Sequence, residues 1–457
     1  RKPVPRLLSG EGRVMVLRAL MSELPLTIFR ASAKRLGFAE EASEQLREFK
    51  QQGLGPEKLR RLAGEAREGA LRRKLEDLAR LAEAFEGWLK ANGLQDEEAL
   101  LPMAADLAEA NAGGLRIGGL WFDGFAQLTP QERRLLAVMA GESERSVLAF
   151  CLDQPVGTEL SPWAVVAQTF ARCRAELETR FGKERVEVEW LERRAGRFEA
   201  GSALAHLERA WSSGAVFEGE TDAVRILECG DAETEVAACA REITKFVRQG
   251  SRYREAAVLV RSFSNDYPYL IRRVFARYGI PLFLDHREGV AHHPLSVLTR
   301  GAVRMLLFDW KHVDCFSVLK TGLVRIQEEY LHELENDALE NGWEGKEWRT
   351  GFRLMEKKRD PEWRMQREAR LNEERERLIQ PFLNFERNLG EKPDGRKLAE
   401  AVRTLWIELA VEKTMEEWAR TEPIHETVWE QMRVWLENVE LAFAPQRLEL
   451  REWLPII

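Results

Sequence analysis

A chain of 457 residues, 44% hydrophobic and 32% charged, is too long for one ordinary core, and on the order of two to four domains are expected. No apolar run reaches the roughly 18 residues a membrane-spanning helix needs, which excludes a spanning-helix protein. A formal net charge of −7 leaves no basic field over the whole surface, so any polyanion must be met in a local groove.

From Val14 to about Asn111 the pattern is helical, with Leu71, Leu75, Leu78, Ala82, Phe85 and Leu89 recurring at spacings of three and four. Gly53-Leu-Gly-Pro56 and Ala91-Asn-Gly93 mark turns between helices, and Gly113-Gly114 ends the module. The texture then changes. Leu115 to Phe122 reads as a strand, and Thr129-Pro-Gln-Glu132 opens a helix with an N-cap, a proline at the first helical position and a capping box. Val147 to Cys151 reads as a second strand, followed by a helix from about Pro162 to Phe181.

After a variable link with a short helix near Ala203 to Trp211, the rhythm returns. Strands are expected at Ala223–Cys229, Ala256–Val260 and Pro281–Leu284, with helices at Glu233–Arg248 and Asp266–Tyr278 between them. The continuous apolar character of 117–122, 147–151, 223–228 and 256–260 predicts parallel strands covered on both faces, the first two in one sheet and the last two in another. From about Pro294 to Ile457 the pattern is helical and rich in tryptophan. The five cysteines (Cys151, Cys173, Cys229, Cys239, Cys315) form no Cys-x-x-Cys pair and read as reduced cytoplasmic thiols. The first residue is Arg1 rather than Met, and the expectation is a piece of a longer chain.

Three segments carry chemistry. The strand ending at Asp123 is followed by Gly124; ATP-driven motors use an acidic residue at this place to hold Mg²⁺ and a neighbouring Glu to align water, a task glycine cannot perform. Asp123 taken alone is more plainly explained as the cap of a turn after a buried strand. Asp153 and Gln154, after the second strand, echo the γ-phosphate-sensing turn of superfamily-one helicases without its glycine, although an Asp-Gln pair is common in loops. Arg261 ends the strand Ala256–Val260 and precedes a helix and a Gly-Ile-Pro strand, as in the second motor domain of those helicases; a surface arginine after a buried strand is the plainer alternative.

Together these segments resemble the AddB family. The resemblance rests on Trp121-Phe-Asp-Gly-Phe125 with Leu128-Thr-Pro-Gln-Glu132, on Ala205-His-Leu-Glu-Arg209, on Glu233-Thr-Glu235 and on Tyr253-Arg-Glu-Ala-Ala-Val-Leu-Val-Arg261. It continues through Val274-Phe-Ala-Arg-Tyr-Gly-Ile-Pro281, Ala291-His-His-Pro-Leu295 and Leu319-Lys-Thr-Gly-Leu323. His292 and His293 have no partner at ligand spacing, so a packing role at a helix start is expected in place of a metal site. The sequence departs from the family in lacking a Gly-x-x-x-x-Gly-Lys-[Ser/Thr] phosphate loop, the late helicase motifs and the nuclease domain with its cluster-binding cysteines.

The resemblance implies an α/β fold class: two RecA-like parallel-sheet domains of superfamily-one helicase architecture with two large all-helical insertions. Its expected divisions are 1–114 (helical insertion), 115–215 (first RecA-like segment), 216–295 (second RecA-like segment) and 296–457 (second helical insertion). It further implies an ATPase-inactive, DNA-binding portion of a cytoplasmic helicase-nuclease, with single-stranded or duplex-end DNA and an AddA-type subunit as partners. ATP, Mg²⁺ and an iron-sulfur cluster would belong to other parts of the family or to the partner. Asp123, Gly124, Gln154 and Arg261 are then degenerate nucleotide-site positions; Phe125, Gln127, Thr129, Gln131, Lys357 and Lys358 are DNA-contact candidates. The alternatives are a fragment of an active superfamily-one helicase and a helical interaction protein without a nucleic-acid role. Two basic runs, Arg60, Arg61, Arg67, Arg72, Arg73 and Lys357-Lys-Arg359 with Arg364, Arg367, Arg370, are interleaved with Glu, which fits a solvated helix face as well as a phosphate track.

Overall fold

The computed structural model describes residues 6–35, 37–152, 161, 163–191, 197–211, 214–219, 221–262, 267–284, 289–355 and 360–457. The chain divides into two compact units, one of Arg1–Leu152, Val165–Gly182 and Val290–Ile457, the other of Asp153–Ala164 and Lys183–Gly289. Among the described residues it is mostly helical, with two small parallel sheets.

The first unit opens with β1 (Arg6–Leu7), α1 (Gly10–Glu23), α2 (Phe38–Gln51), α3 (Pro56–Glu65), α4 (Gly69–Ala91), β2 (Leu94–Gln95) and α5 (Leu100–Ala110). Ser9 caps α1 by accepting from the Gly12 N–H at 3.1 Å, and β1 pairs in parallel with β2. The helical stripe read from Leu71 to Leu89 is buried at its C-terminal end, at Phe85 and Leu89, half-buried at Leu75, Leu78 and Ala82, and exposed at Leu71. The buried face of α4 also includes Leu81 and, fully buried, Asp77. Its Oδ2 accepts from the N–H groups of Thr27, Ile28 and Phe29 at 2.9, 2.9 and 3.2 Å, and its Oδ1 from the Thr27 hydroxyl at 3.1 Å. A buried carboxylate therefore closes a half-exposed turn 48 to 50 residues away, and the turn's N–H groups satisfy its oxygens.

A second buried polar cluster joins α1, α2 and the segment after β2. Arg13 pairs with Asp96 at 2.7 Å and with Glu98 at 2.9 Å; Lys50 reaches Asp96 at 3.3 Å and Arg47 reaches Glu98 at 3.0 Å. Burial pushes the Asp96 carboxyl up, but its hydrogen bond with Glu98 and the charges of Arg13 and Lys50 outweigh this and hold it below the usual carboxylate range. Glu98 moves the other way, raised by burial and then by Asp96 beside it.

The first α/β rhythm is present: β3 (Leu120–Phe122), α6 (Pro130–Gly141), β4 (Ser146–Leu148) and α7 (Ala164–Phe181) follow in order. β3 and β4 run parallel with Leu120 opposite Ser146, Trp121 opposite Val147 and Phe122 opposite Leu148. Cover on both faces does not hold. Leu120, Phe122 and Leu148 pack on Leu128, Leu136 and Cys173, while Trp121 is 71% exposed and Val147 opposite it is exposed too. The alternation of a pleated strand puts these side chains on opposite faces, and among the described residues one face is packed and the other exposed.

The second unit contains α8 (Ala203–Ala210), α9 (Ala232–Arg248) and α10 (Tyr267–Arg277). Asp231 caps α9 by accepting from the Thr234 N–H at 2.7 Å, and α9 packs on α10 through Val236, Ala237, Ala240, Ile271, Val274 and Phe275. The expected strands 223–228, 256–260 and 281–284 form no strand ladder among the described residues. Their apolar sequence is right for a sheet, but among the described residues they have no ladder partner.

The first unit resumes with α11 (Pro294–Leu307), α12 (His312–Leu319), α13 (Glu328–Asn341), α14 (Lys346–Thr350), α15 (Pro361–Leu389), α16 (Gly395–Glu408), α17 (Val411–Ala419), α18 (Ile424–Ala442) and α19 (Leu450–Trp453). One core runs from Leu8 to Trp453: α1 packs on α18, and the Gln446 amide donates to the Ala19 carbonyl at 3.0 Å. A Cβ on Gly395 would stand 2.4 Å from the Val439 carbonyl oxygen, so the glycine permits the close approach of α16 to α18. Trp310, Trp343, Trp348 and Trp406 are buried in this core and Trp363 is exposed, so most of these tryptophans are packing residues.

Candidate functional site

The turn after β3 gathers Asp123, Gly124, Phe125, Gln127, Thr129 and Gln131. Asp123 Oδ1 accepts from the Gly124 N–H at 2.7 Å, and Gly124 has φ +83°, a left-handed conformation that costs a glycine little. The carboxylate thus caps its own turn, as the plainer of the two readings expected. The backbone reverses here at the carboxyl end of a parallel strand, the edge at which α/β sheets meet ligands.

Phe125 is 45% exposed and stacks on Phe122, with centroids 4.0 Å apart and planes 9° from parallel. Gln127 is exposed, and Leu128 then turns inward. The far end of the loop is pinned. The Thr129 hydroxyl accepts from the Glu132 N–H at 3.3 Å while Glu132 Oε2 accepts from the Thr129 N–H at 2.7 Å, completing the expected capping box. Arg133, buried, donates to the Leu128 carbonyl at 2.8 Å and to Glu176 at 2.8 Å. Gln131 Nε2 donates to the Lys50 carbonyl at 2.6 Å and ties the start of α6 to the end of α2.

The loop is therefore a short exposed arc, 123–127, between fixed ends. Of the polar candidates Thr129 is occupied as a cap and the Gln131 amide as a tether, so Phe125 and Gln127 are the ones presented to solvent. Arg133, which sequence reading passed over, is the residue that holds the arc; its signal, a buried arginine, is non-local.

Asp123 and Gly124 belong to the first unit and Arg261, exposed, to the second. Asp153, Gln154, Lys357, Lys358 and Arg359 lie outside the described residues. The other cations of the basic runs are largely engaged: Arg60 with Glu83, Arg61 with Glu65 at 3.8 Å, Arg72 with the Ala66 carbonyl at 3.0 Å, and Arg367 with Asp337 and Glu333 at 2.9 and 3.1 Å. Near α6, Arg134 is held by Asp106 and Glu109, and hydrogen bonds from Arg134 and Arg180 hold the Glu109 carboxyl below its usual range.

His293 is the N-cap of α11. Its Nδ1 accepts from the Leu295 N–H at 3.1 Å, so the ring proton sits on Nε2 and points to His425 Nδ1 at 2.9 Å. Burial, then the neighbouring His425, lowers the His293 pKa to about 4. This is the helix-start role expected of the His-His-Pro motif. Among the described residues no group of three or more His, Cys, Asp or Glu side chains is arranged to hold a metal ion, and no helix is long and apolar enough to cross a membrane.

Residues 4–208 match the family model described as ADDB, N-terminal. The chain is 32% identical to the B subunit of the ATP-dependent helicase/deoxyribonuclease of Desulforudis audaxviator, over 94% of this chain and 39% of that protein. It is 31% identical to the proteins of the same name from Moorella thermoacetica and Pelotomaculum thermopropionicum, in each case over 98% of this chain and 41% of the relative. The similarity thus runs along nearly all of the sequence, while the chain spans about two fifths of the length of these relatives. On these grounds the chain belongs to the AddB family, the B subunits of ATP-dependent helicase/deoxyribonucleases.

Proposed function

We propose that this chain is a helicase-like, DNA-binding portion of the AddB component of a bacterial AddAB-type helicase-nuclease, acting in double-strand break resection and recombinational repair in the cytoplasm. In this reading 115–215 and 216–295 contribute RecA-like segments of a superfamily-one body, and 1–114 and 296–457 are its helical insertions. An AddA-type subunit supplies the working motor, and single-stranded or end DNA passes over the α/β segments. The observation that carries the reading is the exposed arc 123–127, with Phe125 and Gln127 presented at the carboxyl end of a parallel strand pair. An aromatic face there suits base stacking, which tolerates any sequence.

ATP turnover does not belong to this chain. The sequence has no phosphate loop, glycine stands where a water-aligning carboxylate is needed, and Asp123 is spent on its own turn. Nuclease chemistry and an iron-sulfur cluster are assigned to other parts of the full AddB protein. The purified chain is expected to hydrolyse ATP at the background rate with and without single-stranded DNA. DNA-stimulated turnover that disappears in Asp123→Ala would instead identify a fragment of an active helicase.

A further inference from the structure

The contact between His293 and His425 leaves no place for another proton. His293 Nδ1 accepts the Leu295 N–H at 3.1 Å, so the ring's own proton is on Nε2, which points at His425 Nδ1 from 2.9 Å. That nitrogen accepts, and the proton of His425 is therefore on its Nε2, 3.8 Å from Glu422 Oε2. A further proton on His293 Nδ1 evicts the Leu295 N–H. On His425 Nδ1 it meets the proton that His293 already directs there. A metal ion does not suit the pair, because the His293 nitrogen that faces His425 carries the proton of the neutral ring.

Both rings stand at helix N-termini, His293 as the N-cap of α11 and His425 in the first turn of α18, where the helix dipole opposes a positive charge. The surroundings offset this little. Trp418 of α17 lies against His425 with ring centroids 5.2 Å apart. Arg300 of α11 donates to the Ala291 carbonyl, and Arg304 is held by Asp314 of α12. His292 before α11, Glu426 of α18, and Arg451 and Glu452 of α19 are exposed. Glu422 is the acidic neighbour at ion-pair distance, and its side chain is 69% exposed, so water screens its pull.

What the pair holds is the first turn of α18. Further along, the helix is fixed by Val428, Met432, Leu436 and Val439 in the core, whereas Ile424, Glu426 and Thr427 are exposed. We infer that His293 and His425 are a proton-operated latch between the starts of α11 and α18: one added proton breaks it and frees the first turn of α18 while the helical core stays folded. The latch is separate from the arc 123–127, so it and the DNA-binding reading can fail independently.

The sign follows from linkage. The His293 ring is held at about 4 in place against an ordinary 6.5, so the latch is closed above pH 6.5 and weakens as pH falls below it. Amide exchange of the 457-residue chain, corrected for the intrinsic pH dependence, tests this. Between about pH 7 and about pH 5 the amides of Leu295 and of 425–428 should open more readily by about tenfold or more, while those of Leu398 to Leu405 within α16 keep their protection. In the chain labelled with ¹⁵N-histidine, the His293 and His425 ring signals should change together over the same range. His425→Asn places an amide oxygen where Nδ1 stood and has no ring to titrate. It should keep 425–428 protected at about pH 5 and leave the Leu295 amide sensitive to pH. Unchanged opening of 425–428 in the parent chain would overturn the inference, as would equal opening of 425–428 in His425→Asn. Loss of protection in α16 at the same pH would mean general acid unfolding and equally overturn it. Should His425→Asn fail to fold, the ring signals of the parent chain decide: separate changes of the two histidines, with no change in amide opening, would contradict a latch.

Discussion

Asp77 shows how much one buried carboxylate can organise. It is fully buried and accepts from three consecutive backbone N–H groups, so its removal takes away the one acceptor that ties the half-exposed turn 27–29 to α4. Asp77→Ala should destabilise the first unit by about 2–4 kcal/mol in urea unfolding; a change under about 0.5 kcal/mol, the range of ordinary surface substitutions, would show that the turn at Thr27 is held by other contacts. His293 gives a second prediction, with a definite sign. Its folded pKa of about 4 lies below the ordinary 6.5, so the unfolded chain takes up the proton first as pH falls. The contribution is present above pH 6.5 and is lost between 6.5 and about 4. His293→Asn keeps a side-chain acceptor for the Leu295 N–H without a titrating group, and should flatten the dependence of the unfolding midpoint on pH across that window. An unchanged slope in the variant would assign the dependence to other groups. Neither role was fully legible in the sequence. A helix-start role for His293 was expected because no metal-ligand partner stands at the right spacing, but its partner His425 lies 132 residues away, and nothing near Asp77 announced a turn 50 residues earlier.

At the scale of elements, what is encoded locally was readable. Thr129-Pro-Gln-Glu132 carries its own instructions, because the cap, the proline and the reciprocal carboxylate act within four residues, and the capping box is formed. Thr129→Ala should cost about 1 kcal/mol and loosen the anchored end of the 123–127 arc, read as faster amide exchange at Leu128 and Glu132. Unchanged exchange and stability would mean that Arg133 alone fixes the loop. The strands divide by the same logic. The pairing of β3 with β4 was legible because both partners and the helix between them lie within 29 residues. Segments 223–228 and 256–260 have equally apolar sequences, yet composition says only that a strand seeks neighbours and not where they come from. The continuous runs pointed to cover on both faces, and Trp121 and Ile226 stand where that cover is lacking.

For the molecule as a whole, periodicity identified two helical stretches without revealing that they share a core. Leu8 to Leu94 and Leu295 to Trp453 form one cluster, and Ser9 bonds to Asn438 at 3.3 Å across the length of the chain. Such contacts join faces that are separately amphipathic, and a local pattern carries no address for its partner. The arc 123–127 stands beside a separate small cluster of Leu128, Leu136 and Cys173, tied to α2 through Gln131 and the Lys50 carbonyl, and it is there that DNA is proposed to be met. The decisive measurement is a fluorescence titration of a labelled single-stranded oligonucleotide with the 457-residue chain and its Phe125→Ala variant at several salt concentrations. If the Phe125 ring stacks on a base, binding by the parent chain should fall steeply with salt, and Phe125→Ala should weaken it by about 1–3 kcal/mol at every salt concentration while leaving the slope unchanged. Equal affinity of the two proteins, or no binding by the parent even at low salt, would contradict a DNA-reading role for this surface.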